Sequence, residues 1–317
     1  MDDTPNQAAD VVVLGIFVAD TTYTAARMPR MGETIMGTDF ALGPGGKGSN
    51  QAVAAGRSGA RTHLVTRIGR DAFGEMAERV WAEAGVTPRL CGDGMARTGA
   101  ANIFIDAGTG DNAIIVFPGA GAGLCPDDLE ECRDLLGAAS VFLTQLEQPM
   151  PAAERGLRIA RQEGTITILN PAPAPHSPLP GALLELCDYV TPNETEAEAL
   201  SGIAVSDIPS AAAAAAALRA QGAGAVVITL GAMGALLSDA EGETHMPAHD
   251  AGPVRETTGA GDAFNGAFAA GLASGMAPRA ALARAVVAAG ISVTRPGAAA
   301  SMANAAEIDK AVSRRPL

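Results

Sequence analysis

Short β-branched runs alternate with segments of helical periodicity along almost the whole chain, and no other feature restricts the fold as much. The runs are Val11-Val12-Val13-Leu14, His63-Leu64-Val65-Thr66, Val141-Phe142-Leu143, Ile166-Thr167-Ile168-Leu169, Tyr189-Val190-Thr191 and Val226-Val227-Ile228-Thr229. Between them, Phe73, Met76, Ala77, Val80, Trp81 and Ala84 fall on one helical face and stop at Gly85, and Ser210 precedes an alanine-rich helix from Ala211 to Leu218. Strand and helix in turn give βαβ units, hence a mostly parallel, doubly wound α/β sheet with helices on both faces, a three-layer body. No low-complexity linker divides the 317 residues, so a single domain over 1–317 is expected.

Two segments break the alternation. Ala101–Ile105 and Ala113–Phe117 flank DAGTGDN and read as a hairpin with no helix between, while Phe17 to Leu42 has strand-like pieces and no helix. Together they suggest a small β-sheet lid, roughly 17–44 plus 97–118. A lid suits chemistry that must exclude water.

Charge and cysteine use exclude several classes of function. A formal net charge of −13 with no basic cluster argues against nucleic acid, whose binding rests on Lys and Arg neutralising phosphates. Cys91, Cys125, Cys132 and Cys187 form no Cys-x-x-Cys pair and have no His at metal-ligand spacing, which fits reduced thiols in the cytoplasm. The opening MDDTPNQAAD is unlike a signal peptide, and no uncharged apolar run is long enough to span a bilayer, so no membrane partner is expected. His245 and His249 stand four apart, but Pro247 between them spoils a zinc-binding helix and implies a loop. No Gly-x-Ser-x-Gly elbow is present.

Three stretches carry chemistry. In TTGAGDAFNG, Gly259 and Gly261 precede a helix whose apolar positions are Ala263, Phe264, Ala267, Phe268, Gly271 and Leu272. Unpaired N–H groups and the positive dipole end make such a helix start an anion site; Asp262 there is either an N-cap or a functional acid. GPGGKGSNQ at 43–51 contains Gly-x-Gly-x-x-Gly, but it follows the lid segment and not the first strand, which speaks against a dinucleotide oxidoreductase. It is not a Walker A loop, since Gly48 follows Lys47 and Ala41 stands where that motif begins. What remains is a donor-rich loop before a helix from Gln51 to Ala55, suited to a polyhydroxylated ligand. In Pro192-Asn193-Glu194-Thr195-Glu196 the acids suit a positive helix end, and Asn193 with Glu196 equally suits hydrated Mg²⁺ beside a nucleotide.

With GGKGSNQ, NETE and GAGD in this order, the chain resembles the ribokinase-like (PfkB-type) carbohydrate kinase family, and the resemblance runs from about residue 10 to about 310. QLEQP at 145–149, NPAPA at 170–174, ITLGAMG at 228–234 and VTRPGA at 293–298 add to it. It implies a ribokinase-like fold and transfer of the ATP γ-phosphoryl to the primary hydroxyl of a small sugar, D-ribose first, giving D-ribose 5-phosphate. By the same resemblance Asp262 is the general base, and the N–H groups of Gly259, Ala260 and Gly261 form the anion hole. Asp20, Gly46, Lys47, Asn50 and Glu147 would hold the sugar. Asn193, Thr229, Gly231 and Gly234 would hold ATP, with 286–297 flanking adenine and Glu196 facing Mg²⁺ through water. Glu256, Thr258, Gly297 and Ser301 would hold an activating potassium ion. Lid-mediated homodimerisation is also implied.

Two departures stand out. Where the ribokinase branch of the family commonly has Asn two residues before the sugar-binding Asp, this chain has Val18, which cannot hydrogen-bond. Where that branch usually has Asp in the cation segment, this chain has Glu256. The first keeps 2-deoxyribose, a ketohexose derivative or a nucleoside open as substrate; a silent sugar-binding regulator is disfavoured by the intact Asp262, Asn193 and Glu196.

Overall fold

The computed structural model describes residues 10–175 and 179–314. The amino-terminal stretch before Asp10, expected not to be a targeting segment, lies outside the described residues. Its strands are β1 (Asp10–Leu14), β2 (Val18–Ala25), β3 (Asp39–Gly45), β4 (Arg61–Thr66), β5 (Val86–Leu90), β6 (Gly99–Asp106) and β7 (Asn112–Phe117). These are followed by β8 (Val141–Thr144), β9 (Ile166–Leu169), β10 (Tyr189–Val190), β11 (Ala225–Thr229), β12 (Ala235–Asp239) and β13 (Gly242–Met246). The first helices are α1 (Lys47–Arg57), α2 (Ala72–Glu83), α3 (Pro126–Glu130), α4 (Arg133–Ala138) and α5 (Met150–Glu163). Then come α6 (Gly181–Leu184), α7 (Glu194–Ser201), α8 (Ile208–Ala220), α9 (Ala260–Ala273), α10 (Pro278–Ser292) and α11 (Ala305–Val312).

A nine-stranded sheet has the order β13-β12-β11-β10-β9-β8-β1-β4-β5, parallel from β11 to β5 and antiparallel through β12 and β13. Successive strand residues point to opposite faces, and the core divides accordingly. Val11, Val13, Val141, Leu143 and Val227 pack with Val53 of α1, Trp81 of α2, Phe268 of α9 and Leu282 of α10. Val12, Leu14, Phe142, Leu169 and Ile228 pack with Leu129, Leu136, Leu157, Ala197 and Ala214 of the helices between α3 and α8. Both faces are therefore sealed, as near-continuous apolar strands require.

From β1 the chain first builds outward through β4 and β5, then returns to lay β8 on the other side of β1. That reversal opens a crevice at the carboxyl ends of β1 and β8, where ligands of doubly wound sheets bind.

The second sheet has four strands in the order β3-β2-β6-β7, with β2 and β6 parallel and both outer pairs antiparallel. All of β7 is exposed, and Tyr23, Phe40, Leu42, Ile115 and Phe117 add to an uncovered apolar surface.

Three local expectations need correction. The alanine-rich helix is capped by Asp207 and begins at Ile208; Ser210 is the reciprocal partner in a capping box, so the helix starts a turn earlier than its alanines suggest. The helix after GPGG begins at Lys47, not Gln51, because Gly46 (φ 86°) lets the chain turn directly into it. Finally, His245 is not in a loop: it lies in β13, paired with Leu236 of β12, and the strand ends only at Met246 before Pro247.

Helices α1 and α9 meet backbone to backbone. A Cβ at Gly266 would stand against the Ala54 side chain, 2.5 Å from the Gln51 carbonyl oxygen and 2.7 Å from the Ala55 nitrogen. Gly266→Ala is expected to cost about 1–3 kcal/mol through overpacking and to lower the thermal unfolding temperature, read by calorimetry. An unchanged midpoint would contradict this contact.

Candidate active site

The carboxyl ends of four adjacent strands each deliver a polar residue: Gln145 after β8, Asn170 after β9, Thr191 after β10 and Thr229 at the end of β11. The amino ends of α1 and α9 face them. Between lies a cavity of about 210 Å³ whose lining includes Lys47, Asn193, Glu196, Thr229, Gly259, Gly261 and Asp262 from the expected set.

Asp262 is not the N-cap of α9; Gly259 is, with φ 78°. The carboxylate is instead held from α1, with Oδ2 accepting from Asn50 Nδ2 and Oδ1 from Gln51 Nε2, both at 3.0 Å. Burial raises its pKa above the ordinary carboxylate range, against the pull of Lys47 and the two amide donors. Of the three expected anion-hole amides, Ala260 donates to the Thr257 carbonyl at 3.2 Å and is engaged within the turn. Gly261 faces open space, since a Cβ there would meet nothing within 4 Å, so a ligand can approach the backbone closely at that point.

At the start of α1, the Lys47 N–H donates to Glu147 Oε2 at 2.7 Å. Gly46 offers no capping side chain, so a carboxylate from another loop caps the positive helix end. Burial pushes Glu147 up to about 7, opposed by that hydrogen bond. Burial likewise raises Asp20, on β2, to about 6. The Asp20 carboxylate occupies the space a side chain at Gly45 would need. Gly46 has a different constraint: a Cβ there would lie 2.5 Å from the Ile16 carbonyl oxygen, so its missing side chain serves the chain's own backbone. Asp20, Gly46, Asn50 and Glu147 do not line the cavity itself, although Asn50 reaches it through Asp262.

Asn193 and Glu196 form a reciprocal capping box on α7: Asn193 Oδ1 accepts from the Glu196 N–H at 2.8 Å, and Glu196 Oε2 from the Asn193 N–H at 2.9 Å. Both still face the cavity, and burial raises the pKa of Glu196 despite the Asn193 hydrogen bond. Gly231 and Gly234 lie outside the cavity lining; Gly234 (φ 95°) is required where β12 turns against the Met246 carbonyl.

The segments carrying Glu256, Thr258, Gly297 and Ser301 come together beside the start of α9. Glu256 Oε2 accepts from the Gly297 N–H at 2.8 Å, and Ser301 Oγ donates to the Ala298 carbonyl at 2.8 Å. A Cβ at Gly259 would lie 2.9 Å from Ala298 Cα, which sets how closely the two segments approach. Thr258 is exposed.

Sequence reasoning missed the buried amides beneath Asp262, namely Gln51, Gln145, Asn170 and Asn265, together with Thr191. Gln51, Gln145 and Asn170 stand inside the motifs GGKGSNQ, QLEQP and NPAPA, and their signal was a polar residue directly after a strand or inside a helix start.

A mostly parallel α/β sheet with a buried carboxylate at a glycine-rich helix start, opening on an amide-lined cavity, defines a phosphoryl-transfer class of site. The family model described as pfkB family carbohydrate kinase matches residues 8–305. The chain is 36% identical over 293 residues to a ribokinase of Haemophilus influenzae, covering 92% of this chain and 94% of that protein. It is 33% identical to a deoxyribokinase of Salmonella typhi, covering 92% and 95%. Among solved structures, that of Arabidopsis thaliana ribokinase complexed with ribose and ATP superposes with a TM-score of 0.90 at 29% identity, covering 98% of this chain and 100% of the other. The chain belongs to the pfkB family of carbohydrate kinases and is a sugar kinase of the ribokinase fold.

The Glu147 carboxyl holds its proton to about pH 7, whereas in the unfolded chain it releases it near 4.5. Native protein therefore binds more protons across this window, and stability falls as pH rises through about 7. Glu147→Gln removes that ionisation while keeping an acceptor for the Lys47 N–H. The variant should gain thermal stability relative to the unsubstituted chain on going from about pH 5 to about pH 8, read from ligand-free melts. A pH-independent difference between the two would contradict the assignment.

Proposed function

We propose that this kinase transfers the γ-phosphoryl group of ATP to the primary hydroxyl of D-ribose. The observation that carries the reading is the buried Asp262 carboxylate, held by two α1 amides at the amide-lined start of α9. In this reading Asp262 takes the proton of the attacking hydroxyl, while the helix-start N–H groups, Gly261 foremost, stabilise charge on the transferring phosphoryl. Asp20 and Glu147 accept hydrogen bonds from the sugar, Lys47 and Asn50 donate, and the buried Asn50 Oδ1, which has no partner, is free to accept from a hydroxyl.

Asn193, Thr229, Gly231 and Gly234 are assigned to ATP, with 286–297 beside adenine. The donor set of Glu196 and Asn193 on the cavity wall fits a water-shelled Mg²⁺, which would offset phosphate charge when bound. Glu256, Thr258, Gly297 and Ser301 are assigned to a potassium ion, with Glu256 already bonded to the Gly297 N–H. The apolar outer face of the second sheet, with Tyr23, Phe40, Leu42 and Ile115 exposed, supports its role as a lid through which a homodimer forms. Among the described residues no helix is long and apolar enough to cross a membrane. The four free thiols suit a reducing, cytoplasmic setting.

One observation favours 2-deoxyribose as a second reading. Val18 is buried in an apolar cluster with Ile16, Ala101 and Leu124, two residues before Asp20, so that side of the sugar site lacks a hydrogen-bonding group.

An ATP-to-ADP assay with ribose and 2-deoxyribose side by side decides between the two. Ribose is expected to turn over with the higher kcat/KM, and Asp262→Ala to lose about 10²–10⁴-fold in kcat. A variant that keeps its turnover would remove Asp262 from the chemistry. For the cation, rates in potassium are expected to exceed those in a large organic cation; equal rates would unseat that assignment.

A further inference from the structure

Beneath Asp262 lies a chain of buried side-chain amides that the reaction as described does not use. Gln145 Nε2 donates to Gln51 Oε1 at 2.5 Å. With its oxygen taken, Gln51 turns both N–H groups forward, one to Asn170 Oδ1 and one to Asp262 Oδ1, each at 3.0 Å. Asn170 is fixed in turn, donating through Nδ2 to the Thr191 carbonyl at 2.8 Å. All four side chains are buried.

The orientation of the Gln51 amide is thus determined from three sides. Flipping it would set its oxygen against the Asp262 carboxylate and the Asn170 oxygen, and its NH₂ against that of Gln145. Gln145 itself is wedged by shape: its Oε1 lies 2.6 Å from where a Cβ at Gly15 would stand and 2.9 Å from one at Gly48. Those two glycines sit at the end of β1 and the start of α1, so the lock rests on the sheet.

We propose that Gln51 is a positioning residue for phosphoryl transfer, its amide locked from behind by Gln145 and Asn170 so that one N–H holds the Asp262 carboxylate in its working orientation. The proposal rests on the reading of Asp262 as the base. Several other groups face that carboxylate. Lys47 and Asn50 of α1 favour its ionised form, while Glu147 from the loop after β8 and Glu196 of α7 oppose it when they are ionised. Asp20 acts at one remove, through Glu147. Among these, Gln51 is the donor that touches Oδ1 without lining the cavity.

The test is the pH dependence of kcat/KM in Gln51→Met, which keeps chain length and removes the donor. The acid limb is expected to move to higher pH by about one unit, which is a tenfold loss on that limb, with activity returning to within a few-fold of the unsubstituted enzyme at high pH. KM for sugar and for ATP should stay within a few-fold, since Gln51 touches neither site. Gln145→Met, which contacts neither Asp262 nor the cavity, should move the limb in the same direction by less, and it keeps the proposal testable if Gln51→Met does not fold. A uniform loss of kcat at every pH, or an unmoved limb in both variants, overturns the proposal. If Asp262→Ala retains turnover, the underlying reading has failed instead, so the two failures are distinguishable.

Discussion

The site depends on how closely α1 and α9 approach each other. Residue 266 must be glycine for their backbones to meet, and one turn earlier on α9 the same approach brings Asp262 within hydrogen-bonding distance of Asn50 and Gln51. Helix α1 is pinned at a second point, where Gly48 meets Gly15 at the end of β1, with 2.5 Å between a Cβ built on Gly48 and the Gly15 Cα. Two glycine contacts along one helix fix its rotation and its height over the sheet. Carboxylate and amides then meet at distances that a shift of 1 Å would break.

This close packing also sets the electrostatics. Glu147, Glu196 and Asp262 cluster around one cation, Lys47, with Asp20 beside Glu147, and burial raises all four pKa values. Each acid is partly compensated by a different donor: the Lys47 N–H for Glu147, the Asn193 N–H for Glu196, and the α1 amides for Asp262. For Asp20 no donor stands among the described residues, and burial alone raises its pKa. In an acidic site of this kind, backbone N–H groups and the positive end of a helix are what can offset the carboxylates toward an anion, and Gly261, with open space at its backbone, stands at the start of α9.

The sheet and its helices were legible because buried parallel strands leave continuous apolar runs, and Gly259-Ala260-Gly261-Asp262 announced the helix start observed at Ala260. The errors arose where one motif served two purposes. Ser210 looked like a cap because the alanines begin after it, yet Asp207 forms the box with it. Lys47 looked like a loop residue because four of the five positions before it are glycine or proline, although Gly46 alone makes the turn. The Gln51, Gln145 and Asn170 network was invisible, since amides over 90 residues apart carry no periodicity and become partners only through the strand order.

The two sheets divide the labour of the site unequally. Gln145, Asn170, Thr191 and Thr229 stand at strand ends of the nine-stranded sheet, and Asp262 and Gln51 stand on helices packed against it. Asp20 comes from the four-stranded sheet, where β2 lies between β3 and β6, and Gly45 ends β3 one residue before α1. A displacement of the smaller sheet would carry Asp20 away from Glu147 and leave the Asp262, Gln51, Gln145 and Asn170 frame intact. The parts that must hold a carboxylate to within tenths of an ångström are built on the interior of the larger core. The four-stranded sheet, from which Asp20 comes, has one uncovered face.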